Sequence, residues 1–269
     1  MSELHLQEDQ YYLDEVVQPQ YNKELSVLQA NELVRSQQDN LTLLEAKLVR
    51  LAIAQILKND DDFRTYEIDI ISLAKLLKIN RYNIYHEMDE LTTDLMRKII
   101  YIRDKEKSKK KENYIKLHWV DTVIYKDGII TFKLSNELKP YLLGLNQLFS
   151  LYSYEEIIEL PTPNSIRLYE LLVSYQNMKY RGIHANQYNG IEIEDGEVVF
   201  TLDYLRKFFN CEENYIDNNS LFVRKVIKSS IDNINKKTVM RVSYRTKRKE
   251  GKLAFIIFKI QSIGEDIEQ

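Results

Sequence analysis

The sequence carries one short pattern twice, and this internal repeat is the feature that most limits how the chain can fold. The segment from Ile68 to Lys78 recurs 132 positions later, from Phe200 to Asn210, with Leu73 matched by Leu205 and the apolar and basic positions in the same order. Each copy runs from a strand-like stretch into an amphipathic helix, and a second helical pattern and two β-rich segments around a basic turn follow it. The chain is therefore expected to contain two modules with the same order of elements.

The composition agrees with two folded modules. A chain of 269 residues is long enough for two domains, and 44% hydrophobic with 29% charged residues is ordinary for a globular protein. No apolar run approaches the roughly 18 residues that cross a bilayer, and the first ten residues lack the basic start and apolar centre of a signal peptide. The single cysteine, Cys211, excludes an internal disulfide. We therefore expect a cytoplasmic protein that does not enter a membrane.

Charge is divided unevenly along the chain. The formal net charge is −3, but residues 1–24 hold six acidic residues against Lys23 alone, and three more acidic residues lie after position 264. Between Glu197 and Ile263, 14 Lys and Arg stand against 7 Asp and Glu, which is a local net charge of +7. Because attraction to phosphate depends on the nearby charge, this part of the chain has the composition of a DNA-facing module.

The periodicities predict an α+β fold of tandem winged-helix domains, mostly helical with small antiparallel β wings. Helical patterns are expected at 41–57, 138–151, 165–175 and 219–237, an antiparallel meander of two hairpins at 100–134, and an antiparallel hairpin at 239–261. The prolines Pro161 and Pro163 mark the boundary between the modules. The predicted division is a flexible acidic tail at 1–20, an N-terminal domain at 21–160, a C-terminal domain at 161–263 and an acidic tail at 264–269.

The long helix predicted at 219–237 has two chemically different faces. At 100° per residue its apolar side chains fall on one side, and three cations fall on the other: Arg224, Lys225 and Lys228. Arginine pairs bidentately with guanine edges in the major groove, and lysine reaches base edges or phosphates. The alternative is an ordinary solvated face, because basic surface helices are common.

The hairpin predicted after this helix has a strongly basic turn. Six cations crowd the turn at Glu250 and Gly251: Arg241, Arg245, Lys247, Arg248, Lys249 and Lys252. Like charges this close repel one another, so the cluster is favourable mainly where phosphate supplies the counter-charge. A solvated run of charge is the alternative.

The first module offers a second set of candidates. These are Arg81, Tyr82, Tyr85, Lys109, Lys110 and Lys111. The three lysines lie in a basic tip at 103–112, which three acidic residues dilute, so DNA contact and an ordinary solvated turn are both compatible with it. The two tyrosines could stack on bases or sugars, although packing against the core is the commoner role of aromatic side chains.

The sequence gives no support to catalysis. The four histidines are scattered, no second ligand stands at metal spacing, and neither Gly-x-x-x-x-Gly-Lys nor Gly-x-Gly-x-x-Gly occurs. A nickase that cuts DNA through a tyrosine is expected to pair it with a metal held by clustered histidines. We therefore expect a protein that is not an enzyme, with no catalytic residue, no metal and no cofactor.

Two segments are specific enough to indicate a family. They are Ser165-Ile-Arg-Leu-Tyr-Glu-Leu-Leu172 and Ile231-Asp-Asn-Ile-Asn-Lys-Lys-Thr238. Asn31–Val34 leading into Leu41–Lys47, together with Phe222–Lys228, adds to the match. The chain resembles, over roughly residues 20–262, the plasmid replication initiator (Rep) proteins of the iteron-binding type, which are built from two winged-helix domains.

The resemblance implies a site-specific DNA-binding protein. Such initiators bind direct repeats at an origin (iterons) as monomers, help to open the adjacent AT-rich DNA, recruit the host replicative helicase or initiator proteins, and repress their own promoter at an inverted repeat as dimers. The long helix of the second domain, with Ser220 and its three cations, would be the main major-groove reader. The first domain would add DNA contact and the dimer interface. The helix start, Asn218 to Leu221, lacks the arginine row of many relatives, so base preference cannot be transferred.

Two other functions are compatible with the same fold. A winged-helix transcriptional regulator without a replication role would bind DNA with the same chemistry; direct repeats beside the gene favour initiation, and a single palindrome favours repression. A protein-interaction module is a different class, and failure to bind any DNA from its own locus at low salt would favour it. The expected partners are double-stranded DNA, a second copy of the chain in equilibrium with the monomer, and the host helicase.

Overall fold

The computed structural model describes residues 16–17, 25–76, 80, 90–91, 93–103, 114–176, 191, 193–215 and 218–262. Within these ranges no helix combines the length and the apolar character that a membrane crossing requires. The elements form two halves of related topology. In each half a strand runs directly into a helix, and the second strand of a later hairpin pairs with that strand.

The first half consists of short helices and short strands. In chain order they are β1 (Val16–Val17), β2 (Ser26–Ala30), α1 (Asn31–Val34), β3 (Gln37–Gln38), α2 (Leu43–Ala54), β4 (Thr65–Asp69), α3 (Ile70–Leu76), β5 (Ile99–Arg103), β6 (Tyr114–His118), β7 (Val120–Lys126), β8 (Ile129–Leu134), a 3₁₀ turn (Asn136–Leu138), α4 (Lys139–Leu142), β9 (Phe149–Ser153) and α5 (Tyr154–Glu159). Residues 90–91 and 93–97 are also helical. The sheet orders are β1-β4-β8-β7, β3-β5-β6 and β2-β9. β1, which lies inside the segment expected to be a flexible tail, pairs in parallel with β4.

The second half is built around one long helix and one sheet. Its elements are α6 (Pro163–Gln176), β10 (Glu197–Thr201), α7 (Leu202–Phe208), α8 (219–237), β11 (Met240–Lys249) and β12 (Lys252–Ser262). α8 is continuous through three parts, Asn219–Phe222, Val223–Lys228 and Ser229–Lys237. The sheet has the antiparallel order β10-β12-β11, so β11 is an edge strand.

The repeated pattern forms the same local structure in both halves. At the end of β4, Asp69 Oδ1 accepts hydrogen bonds from the backbone N–H groups of Ile71 (3.1 Å) and Ser72 (2.9 Å). At the end of β10, Thr201 Oγ1 accepts one from Tyr204 N (3.1 Å). Asp69 and Thr201 hold the same place in the repeat, and each satisfies N–H groups that a helix start leaves without partners. The repeat is therefore a strand, a helix cap and a helix.

Helix α6 packs on elements of both halves. Glu170 forms an ion pair with Arg50 at 2.8 Å, with both side chains 1% exposed, and it accepts a hydrogen bond from Tyr152 (2.5 Å). Although burial alone would raise it, the charge of Arg50 keeps the pKa of Glu170 below its ordinary value, so the carboxylate stays ionised. On the other side α6 packs along α8, and Tyr175 meets Phe200 edge to face with 5.3 Å between ring centroids. The two halves thus share one buried core.

Two sequence expectations about the first half are wrong. The stretch 138–151 is not one helix, because α4 ends at Leu142, and Gly144 and Leu148 take positive φ values of 62° and 52° before β9 pairs with β2. The stretch 100–134 is not one meander, because the fully buried Trp119 separates β6 from β7. These two strands belong to different sheets.

Candidate nucleic-acid interface

The N-terminal turn of α8 is held in place by an arginine of α7. Arg206 donates hydrogen bonds to Tyr215 O (2.6 Å) and Asn219 Oδ1 (2.7 Å), and its guanidinium carbon lies 5.6 Å from the centre of the Phe222 ring. Phe222 is fully buried and packs against Phe209. The Asn219 side chain and the Phe222 ring are thus both in contact with α7 or its C-terminal end, and these contacts position the first turn of α8.

The middle of α8 departs from α-helical geometry, and the three predicted cations lie in this part. Val223–Lys228 form a wider π turn, a rare form that is frequent at functional sites. The extra residue sets the rest of the helix back by roughly 100°, the rotation of one helical residue. Val226, four residues after Phe222, is buried, and the adjacent Arg224 and Lys225 are both exposed.

Lys228 and Ser220 also reach the surface of α8. Lys228 Nζ lies 2.6 Å from Asp232 Oδ2, and this hydrogen bond raises the pKa of Lys228. The two side chains are 55% and 59% exposed, so the pair contributes little and phosphate can replace the carboxylate. Ser220 is exposed in the first turn. The structure thus places all four predicted residues of this helix at its surface.

The hairpin β11–β12, which we call the wing, extends past its sheet. β10 pairs with β12 only as far as Thr201 opposite Phe255, so residues 248–254 form a ribbon without a third strand among the described residues. Glu250 and Gly251 close it with φ values of 51° and 77°, as in a type I′ turn. Four exposed cations surround this tip: Lys247, Arg248, Lys249 and Lys252.

Arg241 and Arg245 lie at the root of the wing, where the protein itself engages them. Arg245 forms a two-point ion pair with Glu197 of β10, at 2.9 and 2.7 Å, and its hydrogen bond holds the pKa of Glu197 below the ordinary value. Arg241 donates to the carbonyl oxygens of Thr238 (2.7 Å) and Met240 (3.0 Å). Of the six cations predicted in this hairpin, the two at the root are therefore tied to the fold.

The first-half hairpin that takes the place of the wing is β7–β8. β8 pairs with β4 as β12 pairs with β10, and the turn at Asp127 and Gly128 has φ values of 52° and 78°. The basic tip at 103–112, which we expected to correspond to the wing, follows β5 in another sheet, so that correspondence is wrong. Six predicted residues lie outside the described ranges: Arg81, Tyr82, Tyr85, Lys109, Lys110 and Lys111. Across those ranges no group of three or more His, Cys, Asp or Glu side chains is placed to hold a metal ion.

Sequence reasoning missed the residues that join α8 to the wing. Asn235 Nδ2 donates to Val242 O (2.8 Å), and Val242 N donates to Asn235 Oδ1 (2.7 Å). Thr238 Oγ1 donates to Ile234 O (3.0 Å) and accepts from Met240 N (3.2 Å). Both Asn235 and Thr238 belong to the Ile-Asn-Lys-Lys-Thr segment that carries the family resemblance. The segment alone does not show that the side-chain amide of Asn235 hydrogen-bonds to a strand.

Comparison with known families gives two matches, the first of which extends through most of α6. Residues 26–173 match the family model described as "Initiator Replication protein, WH1", and residues 201–260 match the one described as "Initiator Rep protein, WH2". The first match alone covers more than half of the chain. The predicted fold class, tandem winged-helix domains, is confirmed.

Individual relatives agree with these matches. A replication initiation protein of Escherichia coli is 27% identical over 196 residues, which cover 71% of this chain and 56% of that protein. An uncharacterized 27.6 kDa protein of Escherichia coli is 22% identical over 254 residues, 90% of this chain and 97% of the relative. Among solved structures, the crystal structure of Pi initiator protein in complex with iteron DNA aligns with a TM-score of 0.67 at 20% identity, covering 90% of this chain and 99% of that one. At 20% sequence identity, this structural similarity is evidence of a shared fold only.

Proposed function

The chain belongs to the initiator replication protein family, and from that membership we propose that it is a plasmid replication initiator which binds repeated origin DNA site-specifically. The observation that carries the proposal is the placement of cations in the second half. α8 exposes Arg224 and Lys225, and the wing, joined to the same helix, extends its cationic tip past the sheet. A helix enters the major groove of B-DNA, and cations beside it follow the phosphates. The Pi initiator, which has this fold, was crystallised with iteron DNA, and this supports the same class of ligand.

We propose that the two domains divide the work. The domain at 161–263 reads bases through Ser220, Arg224, Lys225 and Lys228 and grips phosphate through the wing. The domain at 21–160 adds DNA contact and a dimer interface. In support of the interface, β2 and β9 form a sheet of two strands, and Phe149 and Leu151 are 38% and 56% exposed on β9. The other face of this sheet packs on α2 and α6, and a second copy of the chain would cover the exposed apolar face.

The biological steps proposed for this binding follow the family. The monomer binds direct repeats at the origin, promotes opening of the adjacent DNA and recruits the host helicase. The dimer represses its own promoter at an inverted repeat. A footprint over the DNA that flanks the gene tests this assignment directly. Protection of a set of direct repeats is the expected result, and protection of a single palindrome alone would assign the protein to transcription control.

The base-reading role of α8 is tested by the double variant Arg224→Ala/Lys228→Ala. Loss of a bidentate base contact costs about 1–3 kcal/mol, so affinity for the footprinted site should fall by at least about tenfold. Lys236→Ala/Lys237→Ala is the matched control, because it removes the same charge from the last turn of the same helix. Unchanged affinity of the Arg224→Ala/Lys228→Ala protein would show that another surface reads the DNA.

A further inference from the structure

The covalent link between α8 and the wing is short. α8 ends at Lys237 and β11 begins at Met240, so only two residues connect them, the buried Thr238 and Val239, which is 64% exposed. A link of two residues does not by itself fix the angle between the hairpin and the helix. The orientation of the wing therefore depends on the pairing of β12 with β10, on the buried side chains of Met240 and Val242, and on hydrogen bonds near the link.

Asn235 supplies the contact that joins the helix directly to the strand. Its amide group donates to and accepts from the backbone of Val242, at 2.8 and 2.7 Å. Val242 is opposite Ile260 of β12, and in an antiparallel ladder both polar groups of a residue point to the same side. Because those of Val242 point to Asn235, the amide occupies the outer edge of β11, where a further strand would otherwise pair.

Neighbouring contacts hold the link itself. Thr238 Oγ1 binds the last turn of α8 and the N–H of Met240, and Glu156 of α5 accepts from Val239 N at 2.8 Å. Arg241 also binds the carbonyl of Thr238. These contacts involve Met240 and Arg241, and Asn235 adds the contact at Val242, the next residue of the strand.

A small tilt at this point becomes a large displacement at the cationic tip. Lys249 lies seven residues beyond Val242, which is about 23 Å along a strand at about 3.3 Å per residue. A tilt of about 10° about Val242 would therefore move the tip by about 4 Å. That distance exceeds the range in which an ammonium group bonds a given phosphate oxygen. The wing can contact the same duplex as α8 only if its root is held.

We propose that Asn235 is a positioning residue for DNA binding, which sets the wing relative to α8 so that both contact one duplex. This inference rests on the proposed function. In this proposal Asn235 does not contact DNA itself. Removing its side-chain amide should therefore lower the number of phosphates that the protein contacts and leave base selectivity mostly intact.

The test compares Asn235→Asp with Asn233→Asp. Both add one negative charge to the same helix, but Asn235→Asp also removes the donor to Val242 O. Affinity is measured over a range of salt for a duplex from the footprinted site and for a shuffled duplex of the same length. Each lost phosphate contact lowers the slope of log K against log salt by about 0.9. We expect Asn235→Asp to lower the slope by at least about 1 on both duplexes, and Asn233→Asp to leave it unchanged.

A double-mutant cycle separates positioning from a general loss of stability. Asn235→Ala is introduced into the wild-type protein and into a protein whose Lys247, Arg248, Lys249 and Lys252 are alanine. If Asn235 acts through the wing, it weakens duplex binding in the first background about tenfold and in the second less than about twofold. Equal factors in both backgrounds, or a wild-type salt slope for Asn235→Asp, would overturn the inference alone. Failure of the wild-type protein to bind either duplex would overturn the proposed function and the inference together.

Discussion

The hairpins β7–β8 and β11–β12 occupy the same place in the two halves, and each closes with a lysine, an acidic residue and a glycine. Lys126 precedes Asp127 and Gly128 in the first, and Lys249 precedes Glu250 and Gly251 in the second. All four residues inside the turns have φ between 51° and 78°. What differs is the surrounding structure. In the first hairpin β4 pairs with β8 from Lys133 to Ile129, the residue next to the turn, so the tip ends level with the sheet.

The first tip is also tied to the helix that follows β4. Ile70 N, at the start of α3, donates to the carbonyl oxygen of Gly128 at 2.8 Å. The second tip runs on past Thr201 and Phe255 as a ribbon with three cations and one acidic residue, and a fourth cation, Lys247, lies at the base of the ribbon. A shared fold and a shared turn therefore do not assign a shared role. Length beyond the sheet and charge at the tip distinguish a hairpin that completes a domain from one that can reach a ligand.

Neutralising the cationic tip is expected to have the largest effect. The variant Lys247→Ala/Arg248→Ala/Lys249→Ala/Lys252→Ala should lose up to four phosphate contacts, or about 3.6 in the slope of log K against log salt. Affinity for any duplex near 0.15 M salt should fall by about 100- to 1,000-fold. Fluorescence anisotropy titrations over a range of salt measure both quantities.

Single substitutions at matched positions then compare the two tips. Lys249→Ala should lower the slope by about 0.9, and Lys126→Ala should leave it unchanged. Equal decreases for both lysines would show that the first hairpin contacts DNA as well and that the two tips do not differ in role.

The turn glycines allow the same change to be made in both hairpins. Gly128→Ala and Gly251→Ala each place a side chain at positive φ, with no atom within 4 Å of the added carbon, so strain alone sets the cost. A left-handed conformation costs an L-residue about 1–2 kcal/mol, and both variants should lose about that much free energy of unfolding. Only Gly251→Ala should weaken duplex binding, since the strain there shifts the cationic tip. Urea unfolding and anisotropy distinguish the two effects, and a binding defect in Gly128→Ala would contradict the comparison.

Local patterns in the sequence are sufficient to predict the modules. The repeat and the turn at Glu250 and Gly251 depend on residues within a few positions of one another, so their sequence signals are direct. The exposed cations of α8 follow from helical periodicity for the same reason. These parts of the site were accessible before any coordinates.

Long-range pairing limits what sequence can show. A basic turn in the sequence does not reveal which strands pair. β4 pairs with β8, with Asp69 opposite Ile129, and does not pair with a strand next to the basic tip at 103–112. The π turn of α8 likewise has no local sequence signal, since neither glycine nor proline occurs between Val223 and Lys228. The role of Asn235 depends on a strand that is folded back beside it.

The two helix caps of the repeat should respond differently to pH. Asp69→Ala and Thr201→Ala should each cost about 1 kcal/mol near neutral pH, because each removes a cap. Hydrogen bonding to Ser72 lowers the pKa of Asp69 below the ordinary value. Its contribution is therefore present above the unfolded pKa of about 3.9 and is lost as the pH falls through the lower folded pKa. The hydroxyl of Thr201 does not titrate in this range.

Replacing one cap by the other checks this difference. Asp69→Thr should keep most of the free energy of unfolding at pH 7. Below pH 4 it should lose less of this free energy than the wild-type protein loses, as measured by urea unfolding. An unchanged acid profile for Asp69→Thr would mean that other carboxylates, such as Glu197 beside Arg245, account for the pH dependence.

The smallest effect is expected from the acidic residue of the second turn. Glu250 has φ of 51°, and asparagine adopts this conformation at a lower cost than glutamate does, whereas the first turn already has Asp127 there. Glu250→Asn should therefore stabilise the protein by about 0.5 kcal/mol. It also removes the one acidic charge at the tip, so affinity for a shuffled duplex should rise slightly. Asp127→Asn is the control, because it removes the same charge from a tip tied to α3, and it should leave DNA affinity unchanged. A rise in affinity with both variants would indicate a general charge effect in place of a contact at the wing.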